Sequence, residues 1–161
     1  MRTIKKGLLL LLFVSNANSF SMTQVTTSNA DKIIGTWMMP DDEGIIKIFK
    51  DGKYYNGKII WLKEREKDGS PLKDIENPVD SLRNRDVEGL EVMRGFQYEG
   101  DNTWSGGTFY AAKKGKEVEP DFILEDKDHL NIKISIFIFS LIVELTRVDT
   151  IHFFQKLNRV K

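Results

Sequence analysis

The sequence predicts an all-β domain, a single antiparallel up-and-down barrel of eight strands with one long polar loop. Strand-like runs recur at about ten-residue spacing between turn residues, which is typical of such folds. The first run contains Gly35-Thr36-Trp37 and the last contains Arg147. Because the first and last strands of a closed barrel are neighbours, we expect the Arg147 guanidinium to lie over the Trp37 ring as a cation–π pair. A two-sheet sandwich is the main alternative architecture.

The amino-terminal residues predict a secretory signal peptide over residues 1–19. They combine a basic start, a short apolar run over residues 8–14 and a small-x-small cleavage site at Ala17-Asn18-Ser19. The apolar run is far shorter than the ~20 residues that span a bilayer, so no membrane span is expected once the signal is removed. We therefore expect a periplasmic or secreted protein, in which the Ser-, Thr- and Asn-rich residues 20–31 form a flexible linker.

The composition argues against nucleic-acid binding and against stabilisation by disulfides. Removing Arg2, Lys5 and Lys6 with the signal from the 24 basic residues leaves 21 against 24 acidic residues, a net charge of −3. Such a chain has no basic footprint for nucleic acid and no polybasic membrane patch. Since it contains no Cys, the barrel domain, residues 32–149, must be held by its core and by closure of its sheet.

The candidate strands are runs of alternating or continuous apolar residues bounded by turn residues. They cover residues 34–39, 45–50, 53–62, 90–98, 103–111, 118–125, 129–137 and 140–148. Paired glycines, Gly106-Gly107, interrupt the fifth run and predict a bend at a barrel corner. The most apolar stretch, residues 132–143, is too short to span a membrane, and we interpret it as a buried hairpin. Residues 150–161 are predicted to form a tail or a short extra strand.

Residues 63–88 break the strand pattern and predict a long polar loop, of a length that tends to be functional. Its densest polar signal is Asp74, Asn77, Arg83 and Arg85. At a barrel mouth, Arg83 or Arg85 would grip the anionic headgroup of a ligand. Asp74 and Asn77 would then hold the loop or the arginine in place. The alternative is that Asp74 and Asn77 cap turns and pair with the arginines, with no ligand involved.

An eight-stranded barrel has room for packed side chains or for one small ligand. Four aromatic residues on the strands are candidates for lining a ligand pocket: Tyr55, Trp61, Phe96 and Trp104. For each of them the alternative is an ordinary place in the barrel core. Five further residues are predicted to be structural: Gly35, Trp37, Gly106, Gly107 and Arg147.

The sequence offers little for catalysis and no pattern for a metal. His129 and His152 lack metal-ligand spacing, no Gly-x-Ser-x-Gly occurs, and cysteine chemistry is excluded. We therefore expect no catalytic residue, no metal and no cofactor. One enzymatic alternative is a hydrolase-type reaction with Asp74 as a base beside Arg85 in a closed pocket.

Several short motifs follow one another in a fixed order over residues 33–148. They are Ile34-Gly35-Thr36-Trp37, Asn56-Gly57-Lys58-Ile59-Ile60-Trp61-Leu62, Asp74-Ile75-Glu76-Asn77-Pro78, Leu82-Arg83-Asn84-Arg85, Gly89-Leu90, Trp104-Ser105-Gly106-Gly107-Thr108-Phe109-Tyr110 and Thr146-Arg147-Val148. This ordered set resembles the exported bacterial family named domain of unknown function 2147. The resemblance implies a lipocalin-like (calycin) barrel with an internal cavity. The family's name assigns no molecular function.

We expect from these observations an exported, soluble barrel that binds a small apolar or amphipathic ligand in its cavity. The alternative is an envelope interaction or structural protein with a filled barrel, whose loop or apolar tail docks a protein partner. An empty apolar cavity would support the first function, and a barrel filled by side chains the second. The sequence does not decide the oligomeric state.

Overall fold

The structure is a computed structural model that describes residues 28–159. The predicted signal peptide and most of the predicted linker lie outside these residues. The elements are β1 (Gly35–Met38), β2 (Gly44–Asp51), β3 (Tyr54–Leu62), β4 (Glu91–Gly100), β5 (Thr103–Ser105), β6 (Thr108–Ala111), β7 (Lys116–Val118), β8 (Asp121–Leu124), β9 (His129–Ile136), β10 (Phe139–Arg147) and α1 (Thr150–Arg159). No helix within the described residues is both long and apolar enough to cross a membrane.

The strands close into an antiparallel ring in which the first strand, β1, pairs with the last, β10. The order is β3-β2-β1-β10-β9-β8-β5-β4, and β4 pairs back with β3 to close it. β6 pairs with β4 beside β5, and β7 pairs with β6. Gly106-Gly107 separates β5 from β6, and Glu119-Pro120 separates β7 from β8. The ten strands therefore form the eight predicted barrel positions, two of them interrupted, and the predicted up-and-down barrel is confirmed.

Gly106 and Gly107 permit the bend for different reasons, which gives a testable contrast. A Cβ on Gly107 would lie 2.4 Å from the Arg94 carbonyl oxygen and 2.4 Å from Phe96 Cδ2. Gly106 has open space around it but a φ of +73°. We expect Gly107→Ala to lower the unfolding free energy by about 2–3 kcal/mol through overpacking. Gly106→Ala should cost about 1 kcal/mol through backbone strain. Urea denaturation would measure both, and equal losses would contradict this assignment.

Buried side chains fill the barrel interior. They come from both ends of the barrel and from all eight barrel positions. The core cluster comprises Ile33, Trp37, Ile46, Ile48, Tyr55, Ile59, Leu62, Val87, Val92, Met93, Phe96, Trp104, Tyr110, Phe122, Leu124, Leu130, Ile132 and Leu145. The space that the family resemblance implies to be a cavity is thus occupied by protein side chains, at a packing typical of small eight-stranded barrels.

One end of the barrel is closed by the 3-10 helix Asn29–Ile33. Trp37 Nε1 donates a hydrogen bond to the Ile33 carbonyl oxygen at 2.9 Å. Trp104 Nε1 donates to the Ala30 carbonyl oxygen at 3.1 Å. Both indoles are fully buried, so these bonds satisfy polar groups that would otherwise be costly inside the core.

The predicted linker, residues 20–31, is too long, because its last residues belong to this 3-10 helix. Asp31 Oδ1 accepts hydrogen bonds from Lys50 Nζ and from the Tyr55 hydroxyl, both at 2.7 Å. The donors Lys50 and Tyr55 stabilise the carboxylate and hold the pKa of Asp31 below its usual value. Asp31 therefore fastens the closing helix to β2 and β3, whereas the sequence pattern showed only a polar composition there.

Arg147 lies over Trp37 at this closed end, as the sequence predicts. Its Cζ atom is 4.1 Å from the Trp37 ring centroid, and the two residues are cross-strand partners of β10 and β1. A Cβ on Gly35 would stand 2.3 Å from Arg147 Nη1. The glycine is therefore required for the arginine to approach the backbone of β1.

Two predictions for the last third of the chain need correction. The predicted tail or short extra strand contains a helix instead of a strand, because Thr150–Arg159 is helical and its first turn is capped by Asp149. The hairpin over residues 132–143 is buried only near its base. Its outer part is exposed, with Phe137 at 102% and Ile138 at 89% of full accessibility. Both flanking strands end before they reach it.

Candidate functional site

The long loop between β3 and β4, residues 63–90, is ordered by its own backbone and closes the other end of the barrel. Asp74 N–H donates to the Arg85 carbonyl oxygen at 3.0 Å, and Val87 N–H donates to the Leu72 carbonyl oxygen at 2.8 Å. Val87 is part of the core cluster and Leu72 packs against it. The loop therefore closes this end with apolar side chains, and its predicted role at the mouth of a ligand cavity stays a prediction.

Asp74 is the centre of the polar network in this loop. Its side chain is fully buried, and it accepts hydrogen bonds from three side chains. The Tyr110 hydroxyl donates to Oδ1 at 2.7 Å, and Asn77 Nδ2 donates to Oδ2 at 2.8 Å. Arg85 donates to the same Oδ2 through Nε at 3.0 Å and Nη2 at 2.8 Å. Both carboxylate oxygens are thus occupied, which favours an anchoring role for Asp74 over that of a general base.

The network joins the loop to β6 through Tyr110. Asn77 Nδ2 is also 2.9 Å from the Tyr110 hydroxyl oxygen, and the Arg85 guanidinium lies 5.8 Å from the ring centroid. Burial, and next the hydrogen bond to the Asp74 carboxylate, raise the pKa of Tyr110. The hydroxyl therefore stays protonated and serves as a donor.

Arg83 lies at the edge of the same network. Its Nε donates to the Asn77 carbonyl oxygen at 2.7 Å, and Nη1 pairs with the exposed Asp80 at 2.8 Å. Arg83 and Arg85 are 46% and 36% exposed. The structure thus brings together the four polar candidates predicted in this loop, in an arrangement that the protein satisfies by itself. Binding of a ligand by them stays a prediction.

The four aromatic candidates do not share one pocket. Tyr55, Phe96 and Trp104 are buried in the core, where Tyr55 and Trp104 pack edge to face with ring centroids 6.2 Å apart. Trp61 is partly exposed and lies on the outer wall of the barrel. Its partner there is Phe153 of α1, with ring centroids 4.8 Å apart.

The outer wall beside Trp61 carries a continuous row of side chains. The strand registers pair Thr146 with Met38, Met38 with Ile45, and Ile45 with Trp61. Successive strand residues point to opposite faces, and Trp37 points inward, so this row points outward. Four neighbouring strands therefore present one apolar strip to the outside of the barrel.

A groove of about 770 Å³ separates this strip from α1. We call it the α1 groove. Its lining residues come from the strand ends, the start of the long loop and one face of the helix: Met38, Asp42, Trp61, Leu62, Lys63, Arg65, Thr146, Arg147, Val148, Phe153, Phe154, Lys156, Leu157 and Asn158. Its volume lies within the range of small-molecule sites.

The charge around the α1 groove is predominantly positive. Lys63, Arg65, Arg147 and Lys156 line it, against one carboxylate, Asp42. Arg65 pairs with Glu88 at 2.7 Å, and Arg147 donates to backbone carbonyls. Lys156 forms no ion pair within residues 28–159. A cationic rim over an apolar floor suits an amphipathic molecule with an anionic headgroup.

Sequence reasoning missed the α1 groove, although two local signals point to its helix. Asp149 precedes the helix and accepts from the N–H of Ile151 at 2.9 Å, which is a typical N-cap. Phe153 and Leu157 are spaced as one helical turn. No local signal shows that this turn lies on Trp61, which precedes Phe153 by 92 residues in the chain.

Two comparisons relate the chain to known proteins. Residues 35–146 match a family model described as "Uncharacterized protein conserved in bacteria (DUF2147)". Among solved structures the chain is similar to protein HP1028 of Helicobacter pylori, described as belonging to the lipocalin family. The identity is 18% and the TM-score 0.64, over 79% of this chain and 87% of the other. No curated protein matches the sequence significantly. At this identity, the structural likeness shows the fold.

Proposed function

Since the chain belongs to the bacterial DUF2147 family and folds as a lipocalin-like barrel, we propose that it binds a small amphipathic molecule in the α1 groove. The observation that carries the proposal is the groove itself, a space of about 770 Å³ that lies beside the Trp61–Phe153 contact, between one face of α1 and the outer wall of the barrel. The barrel interior is filled by buried side chains, which favours the outer groove over a cavity within the barrel.

The chemistry of the groove defines the class of ligand. Met38, Trp61, Phe153 and Leu157 supply an apolar floor, which would stabilise a hydrocarbon chain by about 0.8 kcal/mol for each buried CH₂. Lys156 at the rim would attract a carboxylate or sulfonate headgroup. We therefore infer a single-chain anionic amphiphile, such as a long-chain fatty acid.

The predicted signal peptide places this activity outside the cytoplasm. An exported protein meets free amphiphiles in the periplasm or the medium, so a periplasmic or secreted location is part of the proposal. A second candidate function is that of an envelope interaction protein. The filled barrel and the exposed outer part of the hairpin between β9 and β10 favour it.

Tryptophan fluorescence tests the proposed site directly. The protein has three Trp residues; Trp37 and Trp104 are fully buried, while Trp61 lines the groove. We expect titration with anilinonaphthalene sulfonate, an anionic apolar probe, to quench Trp61 and to show energy transfer to the probe. Trp61→Phe should remove the contact quenching, whereas energy transfer from Trp37, which stacks on the groove residue Arg147, should continue. Oleate should displace the probe.

A matched pair of variants on α1 supplies the control. Phe153→Ala removes a groove residue and should weaken probe binding about tenfold, the equivalent of about 1.4 kcal/mol. Ile151→Ala removes an exposed residue of the same helix that does not line the groove, and should change nothing. Equal affinities for the two variants would overturn the groove assignment. Contact quenching that persists in Trp61→Phe would show that the probe binds outside the groove.

A further inference from the structure

The hairpin of β9 and β10 extends beyond the strands that flank it. The two strands pair from Thr146–His129 to Phe139–Ile136 without a register break. β1 pairs with β10 only at Arg147 and Thr146, and the last pairing of β8 with β9 is at Lys133. We call residues 134–143 the distal hairpin.

A proline lies close to the end of each flanking strand that is nearer to the distal hairpin. β1 stops at Met38, and Pro40 begins a 3-10 turn in which Asp41 has a φ of +56°. Pro120 stands immediately before β8. Neither proline has an N–H to offer a neighbouring strand. The distal hairpin is therefore left without strand partners on either side, within residues 28–159.

The distal hairpin is apolar and exposed. It contains no charged residue. The four exposed apolar residues below its turn are 54–73% accessible, and they are Ile136, Phe139, Leu141 and Ile142. Exposed apolar patches of this kind mark interaction sites on soluble proteins. Natural edge strands are usually blunted by charges or prolines, and this edge has neither between Phe139 and Val143.

The free edge of β10 also carries unpaired backbone groups. Val148 N–H donates to the Thr36 carbonyl oxygen across β1 at 3.0 Å, and the backbone groups of successive strand residues point alternately to the two edges. Ser140 and Ile142 therefore direct their N–H and C=O groups away from β9. An occupant that removes water from this edge must replace those hydrogen bonds.

This requirement decides between a lipid layer and another strand. Hydrocarbon would take the apolar side chains but leave the backbone groups of Ser140 and Ile142 unsatisfied, at several kcal/mol each. A strand satisfies side chains and backbone together. Antiparallel pairing of two identical edges has two-fold symmetry, so the β10 edge of a second copy of this chain is complementary to this one.

We propose that the chain forms a two-fold dimer by antiparallel pairing of β10 with β10 of a second copy, the axis lying at Leu141. In this register Ser140 of each copy pairs with Ile142 of the other, which uses the free backbone groups. Leu141 faces Leu141, and Phe139 faces Val143. A register centred further toward Glu144 would collide with the turn that begins at Pro40, which lies beside β10 at that level.

The oligomeric state of the full chain, processed as the expressing cell processes it, tests this proposal. We expect a dimer by light scattering at micromolar concentration. Leu141→Lys should give a monomer, because two ammonium groups would face each other at the axis. Ile138→Lys, at the exposed turn outside the paired segment, should remain dimeric. A monomeric wild type at submillimolar concentration would overturn the proposal.

Hydrogen exchange supplies a second measurement that does not depend on a variant folding. In the dimer the amides of Ser140 and Ile142 should be protected, and dilution to the monomer should release them. The amides of Leu141 and Val143 point to β9 and should stay protected in both states. Uniform exchange along the strand would contradict the pairing. Binding to phosphatidylcholine vesicles that Ile138→Lys abolishes and Leu141→Lys does not would show insertion of the turn into lipid, and would also overturn it.

Discussion

Replacing Arg85 by alanine should lower the unfolding free energy by about 3 kcal/mol, one of the two largest effects that we expect. Arg85 is the ion-pair partner of Asp74, whose carboxylate is fully buried. Removing it leaves an uncompensated charge in the core, which typically costs about 3–5 kcal/mol. We take the lower end because the Arg85 side chain is 36% exposed, so water screens part of the interaction.

Arg83 provides the matched control for this prediction. It lies two residues away in the same loop, donates one hydrogen bond to a backbone oxygen and pairs with a well-exposed carboxylate. Arg83→Ala should therefore cost about 1 kcal/mol. The double variant Arg85→Ala with Asp74→Asn should recover part of the loss, because it removes the unpaired buried charge. Urea denaturation would measure all three, and equal losses for the two arginines would contradict the anchoring role of Asp74.

Replacing Arg147 by alanine should lower the unfolding free energy by about 3–4 kcal/mol and the melting temperature by about 10 °C. Arg147 donates to three backbone carbonyl oxygens, those of Lys127 at 2.6 Å, Ile34 at 3.0 Å and Lys32 at 2.7 Å. Hydrogen bonds from charged donors each contribute about 1.5–3 kcal/mol net, and less here because Arg147 is only half-buried. Stacking on Trp37 contributes about 1 kcal/mol more.

The geometry of the guanidinium explains why lysine should be a poor substitute for Arg147. Its three donating nitrogens reach three carbonyl oxygens in two segments, Lys32 and Ile34 before β1 and Lys127 before β9, and an ammonium cannot span them. Arg147→Lys should therefore recover less than half of the loss. Differential scanning calorimetry would check both variants. An unchanged melting temperature for Arg147→Ala would show that the first and last strands, β1 and β10, are held together without this residue.

The closure of the barrel could be predicted because its signals are local and strong. Turn residues at regular spacing gave the strand positions, and Gly35, Trp37 and Arg147 belong to a short pattern at the first and last strands. Two interruptions divide the eight barrel positions into ten strands, and the sequence predicted one of them. Gly106-Gly107 indicated the break between β5 and β6. The other break lies at Pro120, which gave no clear signal because proline also begins many ordinary turns.

The polar candidates of the long loop could be selected from the sequence, but their arrangement could not. Asp74, Asn77, Arg83 and Arg85 are close in sequence, and their grouping suggested a common role. Tyr110, the residue of β6 that donates a hydrogen bond to Asp74, lies 36 positions from it in the sequence. A hydroxyl at that distance gives no local signal, so the sequence left both a ligand grip and a structural anchor open for the same residues.

Local patterns in the chain were enough to predict the all-β class, the closure of the ring and the polar residues of the loop, because turn chemistry and strand periodicity act over a few neighbouring residues. Which apolar stretches are covered depends on contacts between distant parts of the fold. Residues 132–143 and Phe153 are all predominantly apolar, and the sequence does not show which of them is covered. Phe153 is partly covered because α1 returns along the outer wall to Trp61, and the distal hairpin is exposed because β1 and β8 end at prolines. Burial depends on where distant strands stop, and that is a property of the whole fold.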